Sequence, residues 1–214
     1  MSPDETNSVI EIPVDGVALE GELVIPPGAS GLVVFAHGSG SSRHSPRNNA
    51  VAETLRERGL ATLLFDLLTE AEDRDRATRF DIQLLTDRLV ATTGWLRNRP
   101  ETSARSIGYF GSSTGAAAAL RGAARPEAEI DAVVSRGGRV DMAEAVLDDV
   151  TAPTRLIVGG DDESVRELNR AVYDRLSCEK SVEIVEGAGH LFDGPGELDE
   201  VADLAADLFS THLG

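Results

Sequence analysis

The sequence predicts an α/β fold, a mainly parallel eight-stranded sheet with helices on both faces. Short β-rich runs alternate with longer helical patterns along the chain, which is the signature of successive βαβ units. Most of those runs are continuously apolar, as strands covered on both faces must be, whereas a one-sided sheet would alternate. The connections are short, with two exceptions described below.

The chain opens differently from the rest. Ser8 to Val14 and Val17 to Ile25 are alternating runs separated by Asp15-Gly16, a strong hairpin signal, and Pro26-Pro27-Gly28 turns the chain out of the second run. The parallel strands are then expected at Leu32 to Ala36, Ala61 to Phe65, Ser106 to Phe110, Asp131 to Ser135, Arg155 to Val158 and Ser181 to Val185. Between them, helical patterns run over Arg47 to Arg58, Phe80 to Arg97, Thr114 to Ala124, Asp162 to Leu176 and Glu197 to His212. The longer connections are the charged stretch Asp66 to Arg79, read as a loop, and Gly137 to Ala152, which holds at most a short helix. Neither is large enough for a cap domain, so a site on this fold should be open.

The 214 residues suit one domain spanning 1–214, with residues 1–7 a flexible start. That start is polar and acidic and lacks the basic and apolar regions of a secretory signal, which leads to the expectation of a cytoplasmic protein. No apolar run approaches the roughly 20 residues needed to span a bilayer. The lone Cys178 cannot form an internal disulfide, and it reads as a packing or surface residue.

A formal charge of -17 argues against nucleic acid or an anionic membrane as partner. Acids are dispersed along the whole chain, and every basic residue but Lys180 is arginine. This pattern resembles proteins of salt-loving organisms; the alternative is an ordinary acidic enzyme whose charge aids solubility.

Four motifs carry candidate chemistry. Gly111-Ser112-Ser113-Thr114-Gly115 follows a strand run and precedes the alanine-rich segment Ala116 to Leu120. This is G-x-S-x-G in the context of a nucleophile elbow, where Gly111 and Gly115 let the backbone fold back and lift the Ser113 hydroxyl above a sheet. Read blandly, Ser113 is only a helix cap. Downstream, Val158-Gly159-Gly160-Asp161-Asp162 runs a strand into carboxylates, and Gly187-Ala188-Gly189-His190 puts a histidine on a glycine-rich loop after the last strand. Serine, acid and histidine then follow in the order this kind of site requires. Strand geometry alone leaves Asp161 and Asp162 open as the acid, and Asp162 also reads as a helix N-cap.

The fourth motif, Phe35-Ala36-His37-Gly38-Ser39-Gly40, offers backbone N–H groups for an oxyanion hole, Ser39 converging with Thr114. His37 there is read as a structural residue holding the loop, the alternative being a base. Gly38 to Ser42 could be a phosphate loop, but it has neither the lysine of a P-loop nor the spacing of a dinucleotide fingerprint. His37 and His44 with the acidic run Glu70 to Asp75 match no familiar metal-ligand spacing, so no metal is expected.

With these residues in place, the chain resembles the α/β-hydrolase superfamily, most closely its small, capless dienelactone hydrolase-like group. The resemblance rests on Ala36 to Gly40, Gly111 to Gly115, Val158 to Asp162 and Gly189-His190-Leu191-Phe192, in the family's order. It implies the α/β-hydrolase fold, with Ser113 as nucleophile, His190 as base and Asp162, three residues after Gly159, as the acid. It also implies an oxyanion hole from the Ser39 and Thr114 amides. Dienelactone hydrolases proper use a cysteine nucleophile; Ser113 instead looks like the branches that cleave esters or thioesters. The expectation is a hydrolase of a small ester-like molecule working through an acyl-enzyme with no cofactor. The alternatives are a non-catalytic binding or regulatory protein of this fold, or an acyltransferase using the same residues.

Overall fold

The computed structural model describes residues 6–214. Residues 1–5, which carry most of the expected flexible start, lie outside the described residues; Thr6 and Asn7 already belong to the first strand. That strand, β1 (Thr6–Val14), pairs antiparallel with β2 (Val17–Ile25). The turn between them places Asp15 at φ 50° and Gly16 at φ 79°, and positive φ at both central residues is what a two-residue type I′ hairpin demands.

The strands β3 (Gly31–Ala36), β4 (Ala61–Phe65), β5 (Ser106–Ser112), β6 (Ala132–Arg136), β7 (Thr154–Gly159) and β8 (Lys180–Val185) complete one eight-stranded sheet, in the order β1-β2-β4-β3-β5-β6-β7-β8. β2 pairs antiparallel with β4, and every pairing from β4 to β8 is parallel. The central strands β3, β4 and β6 are buried at every position, the two-sided covering that their apolar runs predict.

Helices α1 (Pro46–Glu57) and α7 (Glu197–His212) cover one face, packing Val51, Leu55, Val201, Ala205 and Phe209 onto Val33, Phe35 and Phe110. The other face carries α4 (Ile82–Arg97), α5 (Thr114–Ala123), α6 (Glu163–Arg175) and a 3-10 segment (Val140–Asp149). α4 starts two residues later than the apolar pattern suggests, because Asp81 takes the N-cap and accepts from the Leu84 N–H.

The charged connection is not all loop. It forms two single-turn helices, α2 (Glu70–Asp73) and α3 (Arg76–Arg79), held by their caps rather than by an apolar face. Thr69 and Glu72 make a reciprocal capping box on α2, and Asp75 caps α3 through the Ala77 N–H. No helix of the described residues is long and apolar enough to cross a membrane.

Candidate active site

β5 runs two residues beyond its apolar stretch, because Ser112 still pairs with Arg136 of β6. The chain then turns at Ser113, which has φ 51° and ψ -120°, a conformation that a side chain rarely adopts, and enters α5 at Thr114. Three backbone hydrogen bonds hold it there. The Ser113 N–H donates to the Arg136 carbonyl at 3.2 Å, and the Ser113 carbonyl accepts from Arg139 N–H at 3.0 Å and Ala116 N–H at 3.1 Å. The bland cap reading of Ser113 fails, since its side chain makes no capping bond to α5.

The glycines of the turn are there for close approach. A Cβ on Gly111 would sit 2.5 Å from Ala116 Cα, and one on Gly115 would intrude on the carbonyl of Ala36 at the end of β3. A Cβ on Gly38 would lie 3.0 Å from Ser113 Cβ, so the loop after β3 presses directly on the elbow.

Asp162 stands at the N-cap position of α6, yet its side chain caps nothing there. Its Oδ2 instead lies 2.7 Å from His190 Nδ1, with the carboxylate side chain only 12% exposed and the imidazole 41% exposed. The two loops are fastened to each other by backbone: Gly160 N–H donates to the Val185 carbonyl, and Asp161 N–H to that of Ala188. The Asp161 side chain is exposed. A Cβ on Gly137 would meet the His190 ring at 3.5 Å, so the imidazole rests on the residue that follows Arg136, whose carbonyl holds Ser113. Among the described residues neither Ser113 Oγ nor His190 Nε2 makes a hydrogen bond.

Ser39 and Thr114 are also brought together, through a side chain. The Ser39 N–H donates to Thr114 Oγ1 at 2.8 Å. His37 serves as a cross-link: its Nε2 accepts from Leu67 N–H at 3.0 Å, which leaves Nδ1 to donate to the Gly38 carbonyl at 3.0 Å. Both ring nitrogens are committed, so His37 acts as the structural residue of the two readings. Burial pushes its pKa down and keeps it neutral.

Arg136 is the residue that sequence reasoning missed. It closes β6 beside the elbow, 8% exposed, with Nε and Nη1 unpartnered, and burial brings its pKa down to about 10. A charged residue directly after the strand run Asp131 to Ser135 was the available signal. Cys178 is half-buried, with its sulfur 3.7 Å from Thr154 Oγ1, at the edge of the core. Among the described residues no group of three His, Cys, Asp or Glu side chains gathers as a metal site would. An open trough of about 400 Å³ flanks His190, Leu191 and Asp193, and a cleft of about 330 Å³ lies between Glu20, Ser42, Arg43 and Asp73.

The sheet order and the elbow define an α/β-hydrolase. The family model "Dienelactone hydrolase family" matches residues 19–212, and the chain belongs to that family. A dienelactone hydrolase from Anabaena variabilis is 50% identical and superposes with a TM-score of 0.96, over 98% of this chain and 99% of that one. Est1E from Butyrivibrio proteoclasticus, solved with ferulic acid, shares the fold at 19% identity and a TM-score of 0.81, over 95% of this chain and 98% of its own. A Mycobacterium tuberculosis protein named "Putative phosphoribosyl transferase" is 51% identical over 211 residues, 99% of this chain and 48% of that protein. The chain thus spans about half the length of the curated relatives it matches.

Proposed function

We propose that this chain is a serine hydrolase that cleaves a small ester or thioester through an acyl-enzyme. The observations that carry the reading are a serine fixed at φ 51° on a strand–turn–helix elbow, held by the Arg136 carbonyl, and an imidazole that packs on the next residue, Gly137, with its Nδ1 2.7 Å from a carboxylate. Family membership supports hydrolysis as the reaction class.

In this reading His190 Nε2 takes the proton of Ser113 as Oγ attacks the carbonyl carbon, and Asp162 orients the imidazole and stabilises its cation. Collapse of the tetrahedral intermediate breaks the bond to the leaving group, which departs with the proton from His190. Water, deprotonated by His190, then attacks the acyl-enzyme and frees the acid and Ser113. Groups at positions 39 and 114 stabilise the oxyanion at the positive end of α5. Short acyl groups fit best, since the connections are too short to form a cap over an acyl chain. The phosphoribosyl transferase name belongs to relatives about twice this length, whereas the dienelactone hydrolase match occupies residues 19–212, and no phosphoribosyl transfer is assigned to this chain.

The test is labelling with a fluorophosphonate followed by a panel of esters of increasing acyl length. Modification of Ser113 in the parent, its absence in Ser113→Ala, and a loss of roughly 10⁶ in kcat in that variant are expected. An unlabelled Ser113 would point to a non-catalytic protein of this fold, and faster product formation with added alcohol than with water would point to acyl transfer.

A further inference from the structure

The Ser39 N–H, one of the two amides expected to face the oxyanion, is already bound. It donates to Thr114 Oγ1 at 2.8 Å, so an oxyanion can receive it directly only if the threonine side chain moves away. Thr114 is 2% exposed and β-branched, which restricts its rotamers, and it stands next to Ser113 in the chain.

A hydroxyl that accepts one hydrogen bond still has a proton to give. In α4, Thr86 and Thr93 spend theirs on carbonyls four residues back, those of Ile82 and Leu89, at 2.6 and 2.9 Å. Thr114 begins its helix and has no such carbonyl within it; among the described residues its hydroxyl donates to nothing. Its backbone N–H, the first of α5, also lacks an acceptor within the helix. Two unspent donors on one residue therefore adjoin the nucleophile.

We propose that the second oxyanion donor is the Thr114 hydroxyl, with the Ser39 amide behind it. The Ser39 N–H fixes and polarises the oxygen, and the O–H and N–H of Thr114 together receive the charge that develops on the carbonyl oxygen. The chain of hydrogen bonds strengthens each member, since a hydroxyl that accepts a bond becomes a better donor. This rests on the hydrolase reading above. It departs from it in assigning Ser39 an indirect role and Thr114 Oγ a catalytic one.

The experiment measures the second-order rate of Ser113 phosphonylation by a fluorophosphonate, whose phosphoryl oxygen occupies the oxyanion position, in the parent, Thr114→Val and Thr114→Ser, alongside kcat and KM for a short ester. Valine keeps the shape and removes the donor. Thr114→Val should slow phosphonylation and lower kcat by about 10²–10³-fold with KM nearly unchanged, and Thr114→Ser should recover to within about tenfold of the parent. A Thr114→Val protein as fast as the parent, or faster, overturns the proposal: the hydroxyl is then only a plug on a Ser39 amide that acts directly. Loss in Thr114→Ser equal to that in Thr114→Val overturns it too, since the hydroxyl would then not be what matters. If Thr114→Val does not fold, Thr114→Ala is judged by the same rates. Absence of labelling in the parent itself refutes the hydrolase reading, and this proposal with it, whereas labelling of the parent with no difference among variants refutes this proposal alone.

Discussion

Asp162 and His190, 28 positions apart, meet at 2.7 Å between Oδ2 and Nδ1, while Asp161 beside the first turns its side chain to solvent. The pairing arises because the Gly159 carbonyl accepts from the Asp162 N–H at 3.1 Å, closing a turn that points the second carboxylate, not the first, across to the histidine loop. Asp162→Asn should therefore lower kcat by about 10⁴-fold, the loss typical when the orienting charge is removed. Because Asp162 makes no capping bond, the change in melting temperature should be small, and Asp161→Asn should stay near parental rate. Ester turnover and thermal unfolding of the two variants decide this, and greater damage from Asp161→Asn would overturn the assignment.

His37 makes the fold sensitive to acid. It is buried and neutral, with its pKa below the ordinary 6.5 because charging it would mean desolvating a cation. Between its folded value and 6.5 the unfolded chain binds a proton that the folded chain does not, so the stability is complete above 6.5 and is lost as the pH falls through the folded value. Denaturant unfolding at about pH 7.5 and about pH 5.5 should show the parent losing more stability than His37→Gln over that range. Equal losses in the two proteins would show that other groups carry the acid dependence.

Much of this architecture is legible in the chain because it depends on local composition. The Asp15-Gly16 hairpin follows from two residues that tolerate positive φ, and the central strands from runs such as Leu32 to Ala36 that can only be buried on both faces. The elbow around Ser113 shows for the same reason, since Gly111 and Gly115 are required wherever strand and helix press together. What is hidden is what depends on side-chain placement. α2 and α3 have no buried residue and are fixed by Thr69, Glu72 and Asp75 at their caps, so apolar periodicity cannot reveal them. The Ser39–Thr114 bond joins positions 75 residues apart through one rotamer, and the burial of Arg136 is a property of the surrounding fold.

The dispersed acid of the sequence gives a salt prediction. At a net charge of -17 the folded chain repels itself. The surface pairs that salt would weaken, such as Arg58 with Asp203 and Arg74 with Glu70, are well exposed and hold little stability. Screening should therefore stabilise on balance, raising the melting temperature by about 2–4 °C for each kcal/mol gained. Thermal scans from low to molar potassium chloride measure it, and a flat or falling melting temperature would remove the halophilic reading.

Arg136 should be a net burden on the fold. Its guanidinium is 8% exposed, Nε and Nη1 have no partner, and among the described residues it forms no ion pair. Desolvation is the main cause of its lowered pKa, nearby Arg47 lowers it further, and Asp193, already paired with Arg47 at 2.9 Å, compensates only in part. With a folded value of about 10, below that of the unfolded chain, the side chain is still charged at neutral pH. Holding that charge then costs about 3 kcal/mol, because the unfolded chain binds the proton more tightly than the folded one. The sign follows: the cost is complete below about 10 and is relieved as the pH rises from there toward the higher value of the unfolded chain. Arg136→Met keeps the length and apolar stem and removes the buried charge, so it should stabilise the fold where packing is retained. Urea unfolding at neutral pH should show a higher midpoint with an unchanged slope for Arg136→Met. The advantage should shrink once the pH exceeds about 10. A lower midpoint at neutral pH would mean that the guanidinium holds its neighbours together more strongly than its burial penalises it.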